Sequence, residues 1–121
     1  MSADREPTLR LIDMRNAARK IMERATVDRE NFMSDELLQV WVMHHLEIIG
    51  EAAARVDLRI KEAHPEIDWV AASHMRNRLI HGYFDIDLDI VWETVERDIP
   101  TLLGQVAIVL EALSRNATGD A

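Results

Sequence analysis

Between positions 38 and 56 the apolar residues recur with a helical period: Leu38, Trp41, His45, Ile48, Ile49, Ala52 and Val56. A stripe that wide commits the segment to a helix buried around much of its circumference, and such a helix needs others packed about it. Ser34 is the expected N-cap, with Asp35 and Glu36 near the positive end of the helix. The helix is expected to stop before His64-Pro65, because the residue preceding proline disfavours helical geometry. Gly50 inside it costs about 1 kcal/mol relative to alanine. Close approach of a neighbouring helix would account for that, and Ala52-Ala53-Ala54 would permit it too.

The flanks follow the same period. Residues 1–7 read as a flexible lead, and Thr8 as the cap of a helix to about Thr26 through Leu11, Met14, Ala18, Ile21, Met22 and Ala25. A connector follows in which Phe32 should pack inward. Asp68 is a fair cap for a third helix with Trp69, Ala72, Met75 and Leu79 on its buried line, and Gly82 supplies the left-handed residue that commonly ends a helix. Residues 83–90 alternate apolar and acidic, but a lone strand has no partner in a helical chain. A short extended connector with Asp87 capping the next helix (Leu88, Val91, Trp92, Val95) fits better. Pro100 either kinks that helix or opens a fifth running to about Ser114, with residues 116–121 frayed. The expected fold is an all-α, up-and-down bundle of four to five helices in a single domain spanning 1–121.

With 121 residues and 48% apolar content, the chain can bury a modest core. It has no cysteine, hence no disulfide, thiolate metal site or thiol nucleophile. No apolar run reaches the roughly 20 residues of a membrane span, and no signal-peptide core is present, so a cytoplasmic location is expected. The net charge of −8 argues against a general nucleic-acid coat without excluding a small basic pocket. Residues 1–29 carry seven Lys/Arg against five acids, whereas 85–98 carry six acids and only Arg97. That asymmetry suits self-association or a partner protein.

Most catalytic constellations fail on inspection. His44 and Glu47 with Glu51 share a helix face, but carboxylate-bridged di-metal bundles use Glu-x-x-His twice, and here the order is reversed and single. Asp85, Asp87, Asp89 and Glu96 fit positions 1, 3, 5 and 12 of a calcium loop, yet Ile90 stands where glycine is required. Ser34 and Ser73 lack a nucleophile elbow, and no phosphate loop or dinucleotide fingerprint exists. No metal or cofactor is expected.

That leaves Met75-Arg76-Asn77-Arg78-Leu79-Ile80-His81-Gly82-Tyr83. In an unbroken helix Arg76 and His81 lie about 140° apart. If Gly82 ends the helix at His81, the imidazole can turn back across the last turn toward Arg76. The helix dipole there would favour charged histidine, moving a reference pKa of about 6.5 toward values suited to acid–base work. An arginine fork fits a phosphodiester and the charge that develops on it. One Arg and one His are a minimal kit for attack of an RNA 2′-hydroxyl on its adjacent phosphate, and two copies facing each other would supply both an acid and a base.

The same residues match the R-x4-H-x-Y pattern of HepT-like toxins of the HEPN superfamily. Leu46-Glu47-Ile48-Ile49-Gly50-Glu51-Ala52 resembles the family's central-helix signature, and Pro65-Glu66-Ile67-Asp68-Trp69 the lead into its motif helix. Val91-Trp92-Glu93-Thr94-Val95 with Asp98-Ile99-Pro100 resembles the segment after it. The likeness spans roughly residues 9–113.

The resemblance implies a homodimeric HEPN-like bundle and a metal-independent endoribonuclease, with Arg76 and His81 catalytic and Asn77 and Arg78 supporting. It implies a toxin–antitoxin pair in which an MntA-type nucleotidyltransferase antitoxin transfers AMP to Tyr83. Many relatives carry arginine where His44-His45 stands here, so any role of that arginine is either weakened or taken by histidine, with Arg78 able to compensate. The alternative is a non-catalytic helical module that binds a nucleotidyltransferase or nucleotide.

Overall fold

The structure, a computed structural model, describes residues 6–25, 27–75 and 86–119. Its helices are α1 (Glu6–Arg24), α2 (Arg29–Ser34), α3 (Glu36–Ala54), α4 (Leu58–Ala63), α5 (Trp69–Ser73), α6 (Leu88–Glu93) and α7 (Ile99–Gly119), with a π-helical turn over Thr94–Asp98 between the last two. The described residues form an all-α bundle in which Ile86 is an isolated bridge residue rather than part of a strand.

The stripe on α3 sits at the centre, as its period requires. Val42, Leu46, Ile49 and Ala53 are fully buried, with α1 and α5 packed against the helix. α1 contributes Leu11, Met14 and Ile21 and also packs on α7, which brings Ile99, Val106 and Val109. Phe32, Val91 and Trp92 are buried together, the Phe32 and Trp92 ring centroids 5.3 Å apart.

Several boundaries differ from the expected ones, each for a local reason. α1 begins at Glu6, ahead of Thr8, with Pro7 in the first turn, where its missing N–H costs no hydrogen bond. The expected connector before α3 contains α2, capped by Asp28, whose carboxylate accepts from the Asn31 N–H at 2.8 Å. Ser34 therefore ends α2, and the cap of α3 is Asp35, which accepts from the Leu38 N–H at 3.0 Å. The Gln39 side chain donates to the Phe32 and Met33 carbonyls and so satisfies the end of α2.

α3 also stops earlier than His64. Asp57 starts a new turn by accepting from the Arg59 N–H at 2.8 Å, a bond that holds its carboxyl below the usual carboxylate range. Val56 still closes the core there, 4% exposed. At the other end of the chain, helix runs without interruption from Leu88 to Gly119, beyond both Ser114 and Asn116. Pro100 lies in the first turn of α7 and cannot donate to the carbonyl four residues back. The widened turn at Thr94–Asp98 lies immediately before this defect. Buried Thr94 donates its hydroxyl to the Ile90 carbonyl at 2.8 Å, a back-bond that tends to bend a helix.

The basic N-terminal and acidic 85–98 regions meet within one chain, where Arg29 pairs with Asp89 across α2 and α6. No helix among the described residues is long and apolar enough to cross a membrane.

Candidate active site

The helix α5 precedes residues 76–83 in the chain, and its position is tightly specified. Asp68 caps it, accepting from the Ala71 N–H at 3.0 Å, as the sequence predicts. The Trp69 indole is 8% exposed and donates to the His64 carbonyl at 3.0 Å, closing the Pro65 turn onto the helix. Ala72 and Met75 are buried on the predicted line.

Gly50 explains how closely α5 sits on α3. A Cβ at Gly50 would stand 3.2 Å from the Ser73 carbonyl oxygen and 3.5 Å from that of Ala72. These are backbone atoms, which yield less readily than a side-chain tip. Gly104 is the control, since a Cβ there meets nothing within 4 Å. Gly50→Ala is therefore expected to destabilise by about 1–2 kcal/mol, overcrowding outweighing the helix-propensity gain. Gly104→Ala is expected to stabilise by about 0.5–1 kcal/mol. Urea unfolding of the two variants beside wild type checks the opposite signs.

Arg76, Asn77, Arg78, His81 and Tyr83, together with Leu79 and Gly82, lie outside the described residues. What precedes them is Met75, which with Ala71, Ala72 and Leu102 forms the floor of a groove of about 250 Å³ between α5 and α7. No local pattern announces this groove, because its two walls are far apart in the chain.

The His44-His45 pair divides in its roles. His45 is 3% exposed, its Nδ1 is 2.8 Å from the Trp41 carbonyl oxygen, and its ring lies 4.4 Å from the Trp41 ring. Arg24 covers Trp41, its guanidinium carbon 5.1 Å from the ring centroid. His45 is thus part of the α1/α3 packing, and of the pair it is His44 that is exposed. Glu51 pairs with Arg55 at 3.3 Å, and no cluster of three metal-ligating side chains occurs among the described residues.

Burial lowers the His45 pKa below its ordinary 6.5, and the charges of His44 and Lys20 add to the effect against the opposing Trp41 carbonyl. The folded chain therefore resists a proton that the unfolded chain accepts. The resulting stability is intact above about pH 6.5 and declines as pH falls toward the folded value. Melting temperature should drop between pH 7 and 5.5, and His45→Asn, which keeps a donor for Trp41, should flatten that slope.

A profile described as "Ribonuclease HepT-like" matches residues 14–109. The chain belongs to the HepT-like ribonuclease family. It is 45% identical over 76 residues to "Probable ribonuclease HepT" of Thermococcus cleftensis, covering 63% of this chain and 69% of that one. It is 33% identical over 100 residues to a "Putative RNase" of Methanocaldococcus jannaschii, covering 82% and 92%. A third relative, 34% identical over 99 residues and from the same organism, is named "Gamma-glutamylcyclotransferase and putative RNase", and the match spans 80% of this chain and 45% of that one. No solved structure gives a significant match.

Proposed function

We propose that the chain is a metal-independent endoribonuclease toxin whose chemistry resides in Arg76 and His81. The observation that carries this reading is the intact Arg76-x4-His81-x-Tyr83 pattern inside the family-matched span, beginning at the residue after buried Met75. Arg76 holds the phosphate and offsets charge on its equatorial oxygens. His81 moves the proton: the 2′-oxygen attacks phosphorus, the P–O5′ bond breaks, and the proton lost from the 2′-hydroxyl is balanced by one delivered to the departing 5′-oxygen. A second copy of the chain, bringing its own His81 to a shared cleft, divides the acid and base roles. Asn77 and Arg78 support substrate binding.

The control is at Tyr83, the chain's sole tyrosine and two residues past His81. AMP placed there by a nucleotidyltransferase antitoxin sets a bulky anion beside the phosphate site and cancels its positive charge. Expression without such a partner is expected to arrest growth, and His81→Ala to relieve the arrest. Co-expression with the nucleotidyltransferase should add the mass of AMP to wild type but not to Tyr83→Phe. Arrest that His81→Ala leaves unrelieved would overturn the catalytic reading in favour of a binding module.

A further inference from the structure

We infer that the solvent face of α1 grips the phosphate backbone of the RNA substrate through Arg15, Arg19, Lys20 and Arg24, an inference that rests on the ribonuclease reading above. A chain of net charge −8 repels a polyanion at long range, so it needs a local concentration of cations to bind one. Most of the described guanidiniums are already engaged. Arg10, Arg29, Arg55, Arg59, Arg97 and Arg115 are each paired with a carboxylate. Among the described residues, the Lys and Arg side chains without a carboxylate partner are Lys61 and these four, which share one helix.

The helical period arranges the four as two rows. Arg15 with Arg19, and Lys20 with Arg24, stand one turn apart on the same line of the helix. Asn16 and Glu23 occupy the exposed ridge between the rows. At 1.5 Å per residue the cations cover about 14 Å of the axis, more than the separation of neighbouring phosphates on one strand. Arg19, Lys20 and Arg24 are exposed and Arg15 is half-buried. Arg15 donates to the Asn16 side-chain oxygen, and Arg24 lies over Trp41 with its guanidinium carbon 5.1 Å from the ring centroid. Neither contact neutralises a charge, and a stacked guanidinium keeps its in-plane N–H groups for phosphate. The helix dipole favours a cation in the last turn, which accounts for Arg24 but not for Arg15, Arg19 or Lys20.

The character of the face favours RNA over an acidic protein. Protein interfaces are centred on apolar or aromatic anchors. Between Arg15 and Arg24, α1 exposes no apolar side chain: Ala17, Ala18 and Ile21 are buried, and Met22 packs against the core. Cations flanking a polar ridge suit a backbone of phosphates, which they hold without reading sequence.

The test compares two triple variants of the full chain that lose the same charge. One is Arg15→Gln, Arg19→Gln and Lys20→Gln on α1; the other is Arg55→Gln, Arg59→Gln and Lys61→Gln, at the end of α3 and on α4. Glutamine is a good helix former, and Arg24 stays on Trp41 in both. The probe is a fluorescent 2′-O-methyl RNA, which keeps the phosphates and lacks the attacking hydroxyl, with Kd followed across a salt series. The α1 variant is expected to bind about tenfold or more weakly, and the slope of log affinity against log salt to shrink by about 2. The other variant should stay within about threefold of wild type. Glu23→Gln, which removes the acid of the ridge, should tighten binding by about twofold or more, an answer of opposite sign that stands even if the α1 variant fails to fold. On cleavable RNA the α1 variant should raise KM with kcat nearly unchanged. Equal weakening by the two triple variants, RNA binding unmoved by the α1 variant, or no gain in Glu23→Gln overturns the inference and leaves the nuclease reading intact. A wild type that binds the probe through α1 and cleaves no RNA sustains the binding face and overturns the nuclease reading. One that neither binds nor cleaves overturns both.

Discussion

With His81 replaced by alanine, RNA cleavage is expected to fall by about 100- to 10,000-fold, the usual contribution of a positioned acid–base group. Far-UV circular dichroism of the variant beside wild type checks that the helical fold is kept, so that the loss is read as chemistry rather than unfolding. Arg76→Ala should cost about 100- to 1,000-fold by removing charge stabilisation at phosphorus. Arg76→Lys should recover only part of it, since an ammonium keeps the charge but not the planar two-toothed fork. Initial rates on one RNA at saturating and subsaturating concentrations separate the roles. His81 should act on kcat, whereas Arg76 should act on both kcat and KM if it also grips the ground-state phosphate. Losses below about threefold in both variants would remove these residues from the chemistry.

The largest expected effect on stability is at Phe32. It is fully buried, lies in a helix of six residues, and packs against Trp92 of α6. Phe32→Ala is expected to cost about 3–5 kcal/mol, combining lost apolar burial with an incompletely collapsed cavity. Domains typically unfold at about 5–15 kcal/mol, so the variant should show an unfolding midpoint far below wild type, or populate unfolded chain without denaturant. α2 is too short to persist without this anchor. Urea unfolding followed by tryptophan fluorescence reports it directly, because Trp92 is the residue left facing the cavity. A loss under about 1 kcal/mol would mean that α2 is not part of the cooperative core.

The helical class and the partners of the buried residues were legible in the sequence because apolar period is a local property that packing then obeys. The α3 stripe, inward-facing Phe32, the Asp68 and Asp87 caps and the close approach at Gly50 all stand in the structure. Boundaries were less legible, since several residues able to cap compete within a few positions. Asp35 prevails over Ser34 once α2 occupies residues 29–34, and Asp57 opens a fresh turn where the apolar stripe alone reads as continuous helix. The π-helical turn left no signal except Pro100. His45 illustrates a different ambiguity: as one member of an apolar stripe it was readable as core, and as one of a histidine pair in an arginine's place it was readable as function. Its burial against Trp41 decides for core. The motif itself was visible only as chemistry in sequence, Arg, His and Tyr at fixed spacing, and its geometry belongs to residues 76–83, outside those described. The groove between α5 and α7 could not have been read at all, because Asp68 and Gln105 become neighbours only when the helices pack.

The central claim is that this chain cleaves RNA through the substrate's own 2′-hydroxyl, without a metal. The most direct measurement incubates purified wild-type protein, in excess EDTA, with an RNA it cuts and with the same strand carrying a single 2′-deoxynucleotide at the cleaved position. The account predicts undiminished cutting of the RNA in chelator, products ending in a 2′,3′-cyclic phosphate and a 5′-hydroxyl, and no cutting at the deoxy position. Cleavage that chelator abolishes, or that proceeds equally at the deoxy position, would contradict it.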